Sequence, residues 1–515
     1  MDMLRTSFGP TGTFKMLVSG GGEIKVTKDG SVILNQVQIS HPTASLIAKA
    51  ASALEANLGD GTTSIVLMTG ELMRQAEMYL AEGVNVRTFQ AGIFDIKNDI
   101  IEQLIDQLKI ELSSDDLSSM LVNVIRSAVS TKVSNRMVEQ LTGIIAEGVE
   151  IVRSDSDGCD IRMIEVLEMM HKGEEETRLV RGLVLDHGTR HPAMPQRVRN
   201  AFILACNISL EFEKTEVNSE FFYSSAEERE RLVKSEREYI LSRVRKIVDL
   251  KNAVCSGSRK DHGFVVITQK GIDPFSLDIL AKSSIMALRR AKKRNMERLM
   301  RACGGKAVDS ADDLSEDVLG FAGLVYEHVI GDDKFTFIEE CRQPKSATIL
   351  ITGPQKHSIQ QIKDAVRDGL KSASNLVQQK CILPGAGAFE IALSQKLIQH
   401  KNELKGSHRL AAQALADAIL IVPKVIIANS GLDVQDTLIK LQQAYSLNGR
   451  PMGVDTRTGL PIDPIEAGIV DGFEVKKNCI TAAMTITSTL LLVDEIIRAG
   501  ISVKGGGPQK PHITN

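Results

Sequence analysis

The sequence predicts an α+β protein of several domains, helical toward both ends and α/β in the middle. Three observations lead to this prediction. The chain has 515 residues, which corresponds to about three domains of ordinary size. Apolar residues recur at helical spacing over 42–150 and again from about 358 to 445. Between these regions, apolar runs alternate with helical segments, which is the pattern of an α/β unit.

The first 150 residues begin with glycine-rich turns and continue as helices. Lys28-Asp29-Gly30 lies between two β-branched segments and predicts the tip of a hairpin. Helical spacing then starts near residue 42, resumes after the stretch GDGTTS at 59–64, and covers about 87–112. Two more helices are expected over 115–150, and strands are expected within 161–185.

The middle of the chain starts with an apolar strand in AFILACNISLEF. Ser225 and Glu228 fit a capping box that opens a long charged helix. Its thin apolar stripe is typical of a helix that protrudes or meets a partner. A buried strand, a Gly-Ile-Asp-Pro loop and two helices follow over 263–305. After about 344 we expect a strand and then a helix over 358–379.

The last part of the chain is again expected to be helical. The stretch LPGAGAF at 383–389 predicts a turn between two helices, and helices continue to about 445. A turn-rich segment precedes the apolar helix ITAAMTITSTLLLVDEIIRAG. The tail after residue 501 is rich in glycine and proline, and we expect it to be disordered.

The composition is typical of a soluble globular protein of the cytosol. Hydrophobic residues make up 43% and charged residues 25%. The net charge of −3 and the low aromatic content of 4% argue against nucleic acid and membrane partners. The seven cysteines lack the spacing of a zinc site or a redox pair, so we expect reduced thiols. No apolar run is expected to reach the roughly 20 residues that a membrane helix needs.

The stretch GDGTTS is the first candidate for chemistry. Phosphate binding needs converging backbone N–H groups, glycines that let the backbone approach, and often a helix N-terminus. Gly59 and Gly61 with the following hydroxyls supply these features, and Asp60 is a suitable Mg²⁺ ligand. Taken alone, a plain helix N-cap is the simpler interpretation. The chain contains no Walker motif.

Three further glycine turns point to the same chemistry only when they are taken together. RTSFGPTGTFKML at 5–17 is by itself a β-turn, Lys28-Asp29-Gly30 a hairpin tip, and GAGA at 385–388 is not a dinucleotide fingerprint. Asp364 lies off the apolar face of its helix, so its spacing alone predicts a solvated side chain. A basic cluster is interpreted as a solvated or protein-binding surface rather than a nucleic-acid site; it comprises Arg289, Arg290, Lys292, Lys293, Arg294, Arg298 and Arg301.

Taken in order, these motifs resemble those of the group II chaperonins, whose subunits form the eukaryotic cytosolic chaperonin, TRiC or CCT. The resemblance spans nearly the whole chain, through RTSFGPTGTFKML, TKDG, HPTASLIAK, GDGTTS, IKDAVRDGL, LPGAGAFE and LLLVDEIIRAG. Other segments are similar to the zeta-type subunit in particular: RGLVLDHGTRHP, LEFEKTEVNS, GFVVITQKGIDPFSLD and RRAKKRNMERL.

The resemblance implies a chaperonin fold of three domains. A helical equatorial ATPase domain takes 1–117 and 381–515, a small intermediate domain takes 118–186 and 344–380, and an α/β apical domain takes 187–343. A helical lid protrusion is expected around 215–250. The implied activity is ATP hydrolysis coupled to protein folding, in a cytoplasmic hetero-oligomeric double ring of paralogous subunits. The implied clients are unfolded proteins of the actin and tubulin class.

The family pattern also implies residue roles. Asp60 matches a Mg²⁺ ligand, while Asp29 and Asp364 match the carboxylates that orient the attacking water. Lys132 resembles the lysine that senses the γ-phosphate of ATP, and Glu466 falls where an acid meets the ribose. The other implied nucleotide contacts are Ser7, Phe8, Gly9, Pro10, Lys28, Gly30, Gly61, Thr62, Thr63, Ser64, Gly385, Ala386 and Gly387.

Three departures from the family pattern are expected to affect the rate of ATP hydrolysis more than nucleotide binding. The resemblance starts at the first nucleotide loop, without the preceding strand and helix, and both a truncated gene model and a real loss are open. Thr11 stands where the family has lysine, and Ala386 replaces the middle glycine of its loop. Two alternatives stay open: a mainly structural, client-binding ring subunit with little ATP turnover, and a stand-alone small-molecule kinase. The charged apical helices, with Arg294 and Arg298, favour polar client contacts.

Overall fold

The computed structural model describes residues 1–22, 24–154, 158–170, 173–211 and 226–497. Within these ranges the protein is a mixed α/β molecule that is mostly helical. The expected disordered tail and the proposed cap residue Ser225 lie outside the described residues. The helices expected over 42–112, 115–150 and 358–379 are confirmed.

The N-terminal region is largely helical. Its elements are α1 (Asp2–Arg5), β1 (Lys15–Val18), β2 (Ile24–Thr27), α2 (Gly30–Gln36), α3 (Pro42–Leu58), α4 (Thr62–Ala81), α5 (Val86–Ile96), a π-helical turn (Lys97–Ile101), α6 (Glu102–Asp106) and β3 (Ile110–Glu111). The prediction of a hairpin tip at Lys28-Asp29-Gly30 is therefore wrong. The strand before it pairs antiparallel with β1, and Asp29 caps the N-terminus of α2 by accepting a bond from the backbone N–H of Ser31.

The next region packs two helices on a small sheet. Its elements are α7 (Ser114–Ser130), α8 (Asn135–Val152), β4 (Arg153–Ser154), β5 (Gly158–Cys159), β6 (Ile164–Met170), β7 (Arg178–Val180) and β8 (Leu183–Leu185). Its core is completed by residues from much later in the chain, because β14 (Ala347–Gly353) lies between β6 and β7 in one sheet.

The middle of the chain forms a six-stranded mixed sheet with the order β11-β10-β9-β12-β13-β8. Its strands β9, β10 and β11 are parallel, and β12, β13 and β8 are antiparallel neighbours. The elements are β9 (Arg197–Cys206), α9 (Ala226–Val254), β10 (Phe264–Thr268), α10 (Pro274–Lys282), β11 (Ile285–Leu288), α11 (Lys293–Cys303), β12 (Gly320–Ile330) and β13 (Asp333–Glu339). The long charged helix is confirmed as α9.

The chain then returns to complete the first two regions. The remaining elements are β14 (Ala347–Gly353), α12 (Lys356–Gln379), β15 (Cys381–Pro384), α13 (Ala388–Lys401), α14 (Ser407–Ile419), α15 (Ile421–Asn429), α16 (Val434–Asn448), β16 (Gly453–Val454), β17 (Pro461–Ile462), β18 (Val470–Gly472) and α17 (Phe473–Leu491). The stretch GAGA follows the strand β15, so the predicted helix–turn–helix at this place is wrong.

Buried side chains form separate clusters that follow this out-and-back path. One large cluster joins residues between Leu4 and Leu108 to residues between Cys381 and Leu490. A second joins α7 and α8 to α12 and β14, and two more lie on the two faces of the six-stranded sheet. The two ends of the chain therefore share one core, which brings their glycine turns together.

The prediction that no apolar run reaches membrane length is wrong. Residues His408–Asn429 form a 22-residue helical stretch that is long and apolar enough by composition alone, and 72% of its most apolar window is buried. This stretch comprises α14 and α15, whose side chains belong to the large cluster at the chain ends. Its apolar character is accounted for by this burial.

Candidate active site

Loops from both ends of the chain line one cavity of about 460 Å³. Most of the residues implied by the family pattern lie around it. They are Ser7, Phe8, Gly9, Pro10, Lys28, Asp29, Gly30, Asp60, Gly61, Thr62, Thr63, Ser64, Lys132, Ala386 and Gly387. Gly385, Glu466 and Asp364 are not among the lining residues.

The loop from Ser7 to Pro10 is held by the far end of the chain. The amide Nδ2 of Asn429, at the end of α15, donates to the backbone carbonyls of Arg5 (2.9 Å) and Phe8 (2.8 Å). Gly9 has a φ of +83°, a conformation that glycine adopts without strain. One side chain 424 residues away in the sequence thus fixes the shape of this wall.

The GDGTTS stretch connects two core helices through a tight loop. Gly59 ends α3 in the left-handed conformation (φ +82°), and Gly61, with φ +96°, precedes the first residue of α4. Asp60 is exposed at the apex of the loop, and its Oδ1 accepts a 2.7 Å bond from the N–H of Gly61. Within the described residues Asp60 forms no ion pair. Its carboxylate is therefore free for a ligand beside the unpaired N–H groups of the first turn of α4.

A cluster of acids meets a buried lysine on one side of the cavity. Carboxylate oxygens of Asp29, Glu55 and Asp368 lie within 4.8 Å of one another. Lys132, in the turn between α7 and α8, forms an ion pair with Asp368. Burial alone lowers the pKa of Lys132, but the charges of Asp368, Asp29 and Asp60 outweigh it and hold that pKa above its ordinary value.

Asp368 is the carboxylate on α12 that reaches Asp29, and sequence reasoning missed it. It is 3% exposed, and burial raises its pKa to about 7 against the opposing charge of Lys132. Asp364 lies one turn earlier on α12, is half-buried, and accepts a 2.8 Å hydrogen bond from Nε2 of Gln360. Burial also raises the pKa of Asp364, and the charge of Asp29 adds to that effect. The structure therefore brings Asp368 into the acid cluster and leaves Asp364 beside it.

The opposite wall is formed by the loop between β15 and α13. The N–H of Gly385 donates to the carbonyl of Ile469 (3.0 Å), and the carbonyl of Ala386 accepts from the N–H of Val454 (3.0 Å). Ala386 has a φ of +53° and Gly387 one of +78°. A side chain at Gly453 would come within 2.7 Å of the Ala386 methyl. Ala386 is therefore accommodated by a glycine facing it, and its methyl group contacts that neighbour.

The acid that lines this wall is Asp471 rather than Glu466. Glu466 is exposed and does not line the cavity, whereas Asp471 in β18 does. Nζ of the buried Lys476 lies 3.1 Å from Asp471 and 2.5 Å from Glu390, which is fully buried. The two carboxylates raise the pKa of Lys476 above its ordinary value despite burial. Asp471 is thus held in place by a buried ion-pair network.

The arrangement suits an anionic ligand that carries a cation. Free backbone N–H groups and Lys132 favour phosphate oxygens. Asp29, Asp60 and Asp368 repel bare phosphate, and their hard oxygen atoms favour a divalent ion. The opposite wall, with Phe8, Ile426 and Val454, is apolar enough to receive a planar ring.

Comparison with known proteins identifies the family. The model of the TCP-1/cpn60 chaperonin family matches residues 1–500. The chain belongs to the TCP-1/cpn60 chaperonin family. The members of this family are ATPases that drive protein folding, so the stand-alone kinase alternative is discarded.

Two relatives of this chaperonin cover almost the whole chain. T-complex protein 1 subunit zeta-2 from Homo sapiens is 52% identical over 501 residues, which are 97% of this chain and 94% of the relative. The protein of the same name from Mus musculus is 51% identical over 501 residues, with 97% and 93% covered. The resemblance to chaperonins, and to their zeta-type subunits, is confirmed.

Proposed function

We propose that this chaperonin is a zeta-type subunit of a cytosolic hetero-oligomeric double ring, in which it binds and hydrolyses ATP to drive the folding of cytosolic proteins. The observation that carries the proposal is the cavity itself. Glycine turns from both ends of the chain line it. Asp368 from α12 adjoins it through the lining residues Asp29 and Lys132, which gives the chemistry that Mg-ATP requires.

The three-domain organisation forms part of the proposal. The large cluster at the chain ends supports an equatorial domain, the cluster of α7, α8, α12 and β14 an intermediate domain, and the two clusters of the six-stranded sheet an apical domain. The active site then lies between the equatorial and intermediate domains, because α12 belongs to the second of them. The part of the expected protrusion that the structure describes lies on α9.

The phosphate side of the site is assigned to Asp60, Lys132 and the first turn of α4. Asp60 holds the magnesium ion, because it is exposed to the cavity and forms no ion pair among the described residues. That ion, when bound, offsets the charge of the triphosphate. The N–H groups of Thr62, Thr63 and Ser64 face phosphate oxygens, and Lys132 contacts the γ-phosphate while it remains paired with Asp368.

The attacking water is assigned to Asp29 and Asp368. Their carboxylate oxygens lie within 4.8 Å of each other, a separation that one water molecule can bridge by hydrogen bonds to both. Such a pair orients the water and accepts its proton. We therefore propose Asp368 for the role that the family pattern suggested for Asp364.

The nucleoside side is assigned to the loop from Gly385 to Gly387, to Phe8 and to Asp471. Asp471 replaces Glu466 as the proposed acid for the ribose, because Asp471 lines the cavity and is fixed by Lys476. Lys28, Gly30 and the remaining residues of the loop at 7–10 close the cavity around the phosphates.

The mainly structural alternative rests on Thr11 and Ala386. The hydroxyl of Thr11 lies 3.3 Å from that of Ser430, so a neutral side chain stands where the family has lysine. Ala386 is accommodated by Gly453, as described above. Thr11 favours a lower turnover, whereas the accommodated Ala386 and the acids Asp29, Asp60 and Asp368 favour a working site.

The experiment is purification of the tagged full-length chain from its own cells, with native mass measurement and nucleotide crosslinking. We expect a particle of double-ring size that contains paralogous subunits, and magnesium-dependent labelling by azido-ATP near residues 7–10 and 385–387. An Asp60→Asn chain in the same particle should lose the magnesium dependence. A free monomer, or labelling elsewhere in the chain, contradicts the proposal.

For client proteins of the actin and tubulin class, we propose the exposed face of α11. Lys293, Arg294 and Arg301 are exposed there, whereas Arg298 is buried and paired with Glu165 on β6. Because its side chain is buried, Arg298 is not part of the client surface that we propose. Crosslinking of an unfolded client should fall in the Lys293→Ala/Arg294→Ala variant, and an unchanged yield contradicts the assignment.

A further inference from the structure

Three polar residues of α12 form one stripe that faces the active site and its metal-ligand loop. Asp368, Lys371 and Asn375 are spaced i, i+3 and i+7, so they share a helix face. Asp368 points into the acid cluster described above. Lys371 and Asn375 have no role in the proposed chemistry, yet both contact backbone groups of the equatorial region.

Lys371 and Asn375 donate to carbonyl groups in the last turn of α3, where the carbonyl of Glu55 also accepts a 2.8 Å bond from the N–H of Gly59. Nζ of Lys371 donates to the carbonyl of Glu55 (3.0 Å), and Nδ2 of Asn375 donates to the carbonyl of Leu58 (3.1 Å). The carbonyls of the last turn of a helix lack partners within it unless a cap supplies them, so Asn375 supplies the bond to Leu58 and Lys371 adds a second bond at Glu55. A cation at this end also interacts favourably with the helix dipole. The two side chains therefore act together as a C-terminal cap supplied by another part of the chain.

The same lysine fits closely against Gly59. A Cβ added at Gly59 would lie 2.5 Å from Cβ and 2.8 Å from Cδ of Lys371. Gly59 has a positive φ of +82°, so its conformation and its lack of a side chain are both required. The end of α3 is thus held from two sides, by hydrogen bonds to its carbonyls and by packing of the lysine stem on its last glycine.

The position of Asp60 follows from that of the helix end. Only Gly59, Asp60 and Gly61 separate α3 from α4, and α4 is fixed by the core through Ile65 and Leu67, which are fully buried. A three-residue connection between two helices has little freedom once both helix ends are set. Movement at the end of α3 therefore transmits directly to Asp60.

We infer that Lys371 and Asn375 are positioning residues that hold Asp60 in its metal-binding geometry, so that one face of α12 sets both halves of the ATP site. This inference rests on the proposed role of Asp60. When α12 is docked, Asp368 reaches Asp29 while Lys371 and Asn375 fix the loop of Asp60. If α12 is displaced, Asp368 moves away from the water and the loop of Asp60 loses its support at the same time.

The test compares variants of this chain in the intact assembly. Lys371→Met removes the charge and the donor while keeping an unbranched stem, Asn375→Ala removes the second donor, and Lys371→Arg keeps both charge and donor. Lys363→Met is the matched control, since Lys363 is on the same helix and pairs with Glu168 on β6. Because paralogous subunits have their own turnover, peptides of this chain provide the readout.

The measured quantity is hydrogen exchange of peptides covering residues 56–66, titrated with Mg²⁺ in the presence of a non-hydrolysable ATP analogue. We expect Lys371→Met and Asn375→Ala each to raise the Mg²⁺ midpoint for protection about tenfold, the factor expected for one hydrogen bond to the helix end. Lys371→Arg should restore the wild-type midpoint, and Lys363→Met should leave it unchanged. Without nucleotide, the same peptides should exchange faster in the first two variants only.

The outcomes separate this inference from the proposed function. An unchanged midpoint in Lys371→Met and Asn375→Ala, together with loss of Mg²⁺-dependent protection in Asp60→Asn, overturns the positioning role alone. Unchanged Mg²⁺ dependence in Asp60→Asn overturns the metal assignment itself. A Lys371→Arg variant that is as impaired as Lys371→Met also overturns the inference. In that case the shape of the lysine side chain would matter, rather than its charge and its hydrogen bond to the end of α3.

Discussion

Replacement of Asp368 by Asn is the sharpest test of the proposed site. The substitution keeps the volume of the side chain and removes its charge. Two groups lose their partner: the buried ammonium of Lys132, which pairs with Asp368, and the water that Asp368 is proposed to share with Asp29.

The magnitude follows from these two losses. Removal of a general base reduces a rate by about 10²–10⁴-fold. Asp29 remains beside the water, so we expect about 10²-fold for hydrolysis at this site. Breaking a buried ion pair from one side costs about 3–5 kcal/mol. Because Asp29 and Asp60 also attract Lys132, we expect about 3 kcal/mol of lost stability.

Asp364→Asn is the matched control, on the same helix and one turn away. Asp364 is half-buried, and its Oδ1 accepts a hydrogen bond from Nε2 of Gln360, which the amide oxygen of an asparagine can also accept. We expect less than a twofold change in hydrolysis and a small change in stability.

The assay is ATP turnover by assemblies in which only this subunit varies. The contribution of this subunit is the difference between the wild-type assembly and one carrying Asp60→Asn. Asp368→Asn should abolish nearly all of that difference, and Asp364→Asn should retain it. If Asp364→Asn removes the contribution while Asp368→Asn leaves it intact, the assignment from geometry is refuted and the family-based expectation stands.

Three further outcomes are expected. Gly61→Ala should lower the free energy of unfolding by about 2 kcal/mol and weaken ATP binding, because a methyl group there meets the Cys479 thiol at a φ of +96°; calorimetry of both quantities checks this. Lys476→Met should cost about 3–5 kcal/mol in denaturant unfolding, because it leaves Glu390 charged and buried, and the added change Glu390→Gln should recover part of the loss. Arg298→Leu should lower the thermal midpoint by several degrees through loss of its ion pair, with client crosslinking unaffected in the fraction that folds.

The helical parts of the fold could be predicted because their signal is local. The apolar spacing of α3, α7, α8 and α12 has a period near 3.6, and each of these helices buries the face that this spacing defines. The wrong prediction of a hairpin tip at Lys28-Asp29-Gly30 also has a local cause. The residues after it, Ser31-Val32-Ile33-Leu34, have β-branched members that favour a strand, but packing into the core of the chain ends selects the short helix α2, with Ile33 fully buried.

The cavity could be predicted only as a set of separate turns. Each glycine turn has a simpler local explanation, and what joins them is contact between residues more than 400 positions apart, such as Asn429 and Phe8. The family resemblance supplied that long-range information for most lining residues. The resemblance was less informative for the acids. It indicated Glu466, which lies outside the cavity, whereas Asp471, five positions later, lines the wall.

The sequence of α12 contains a feature that separates the buried Asp368 from Asp364. The two residues are spaced i and i+4, so helical periodicity places both on nearly the same face and cannot rank them. Asp368 is followed by Gly369, which costs helix stability unless close packing requires it. In the structure a Cβ at Gly369 would lie 2.8 Å from Ile145 on α8 and 3.2 Å from Val129 on α7. The glycine thus lies on a turn of α12 that packs closely on both neighbouring helices, and Asp368 on that turn is 3% exposed, whereas Asp364 one turn earlier is half-buried. An Asp-Gly pair inside an otherwise uninterrupted helical pattern is therefore the sequence feature that distinguishes the buried carboxylate from the peripheral one.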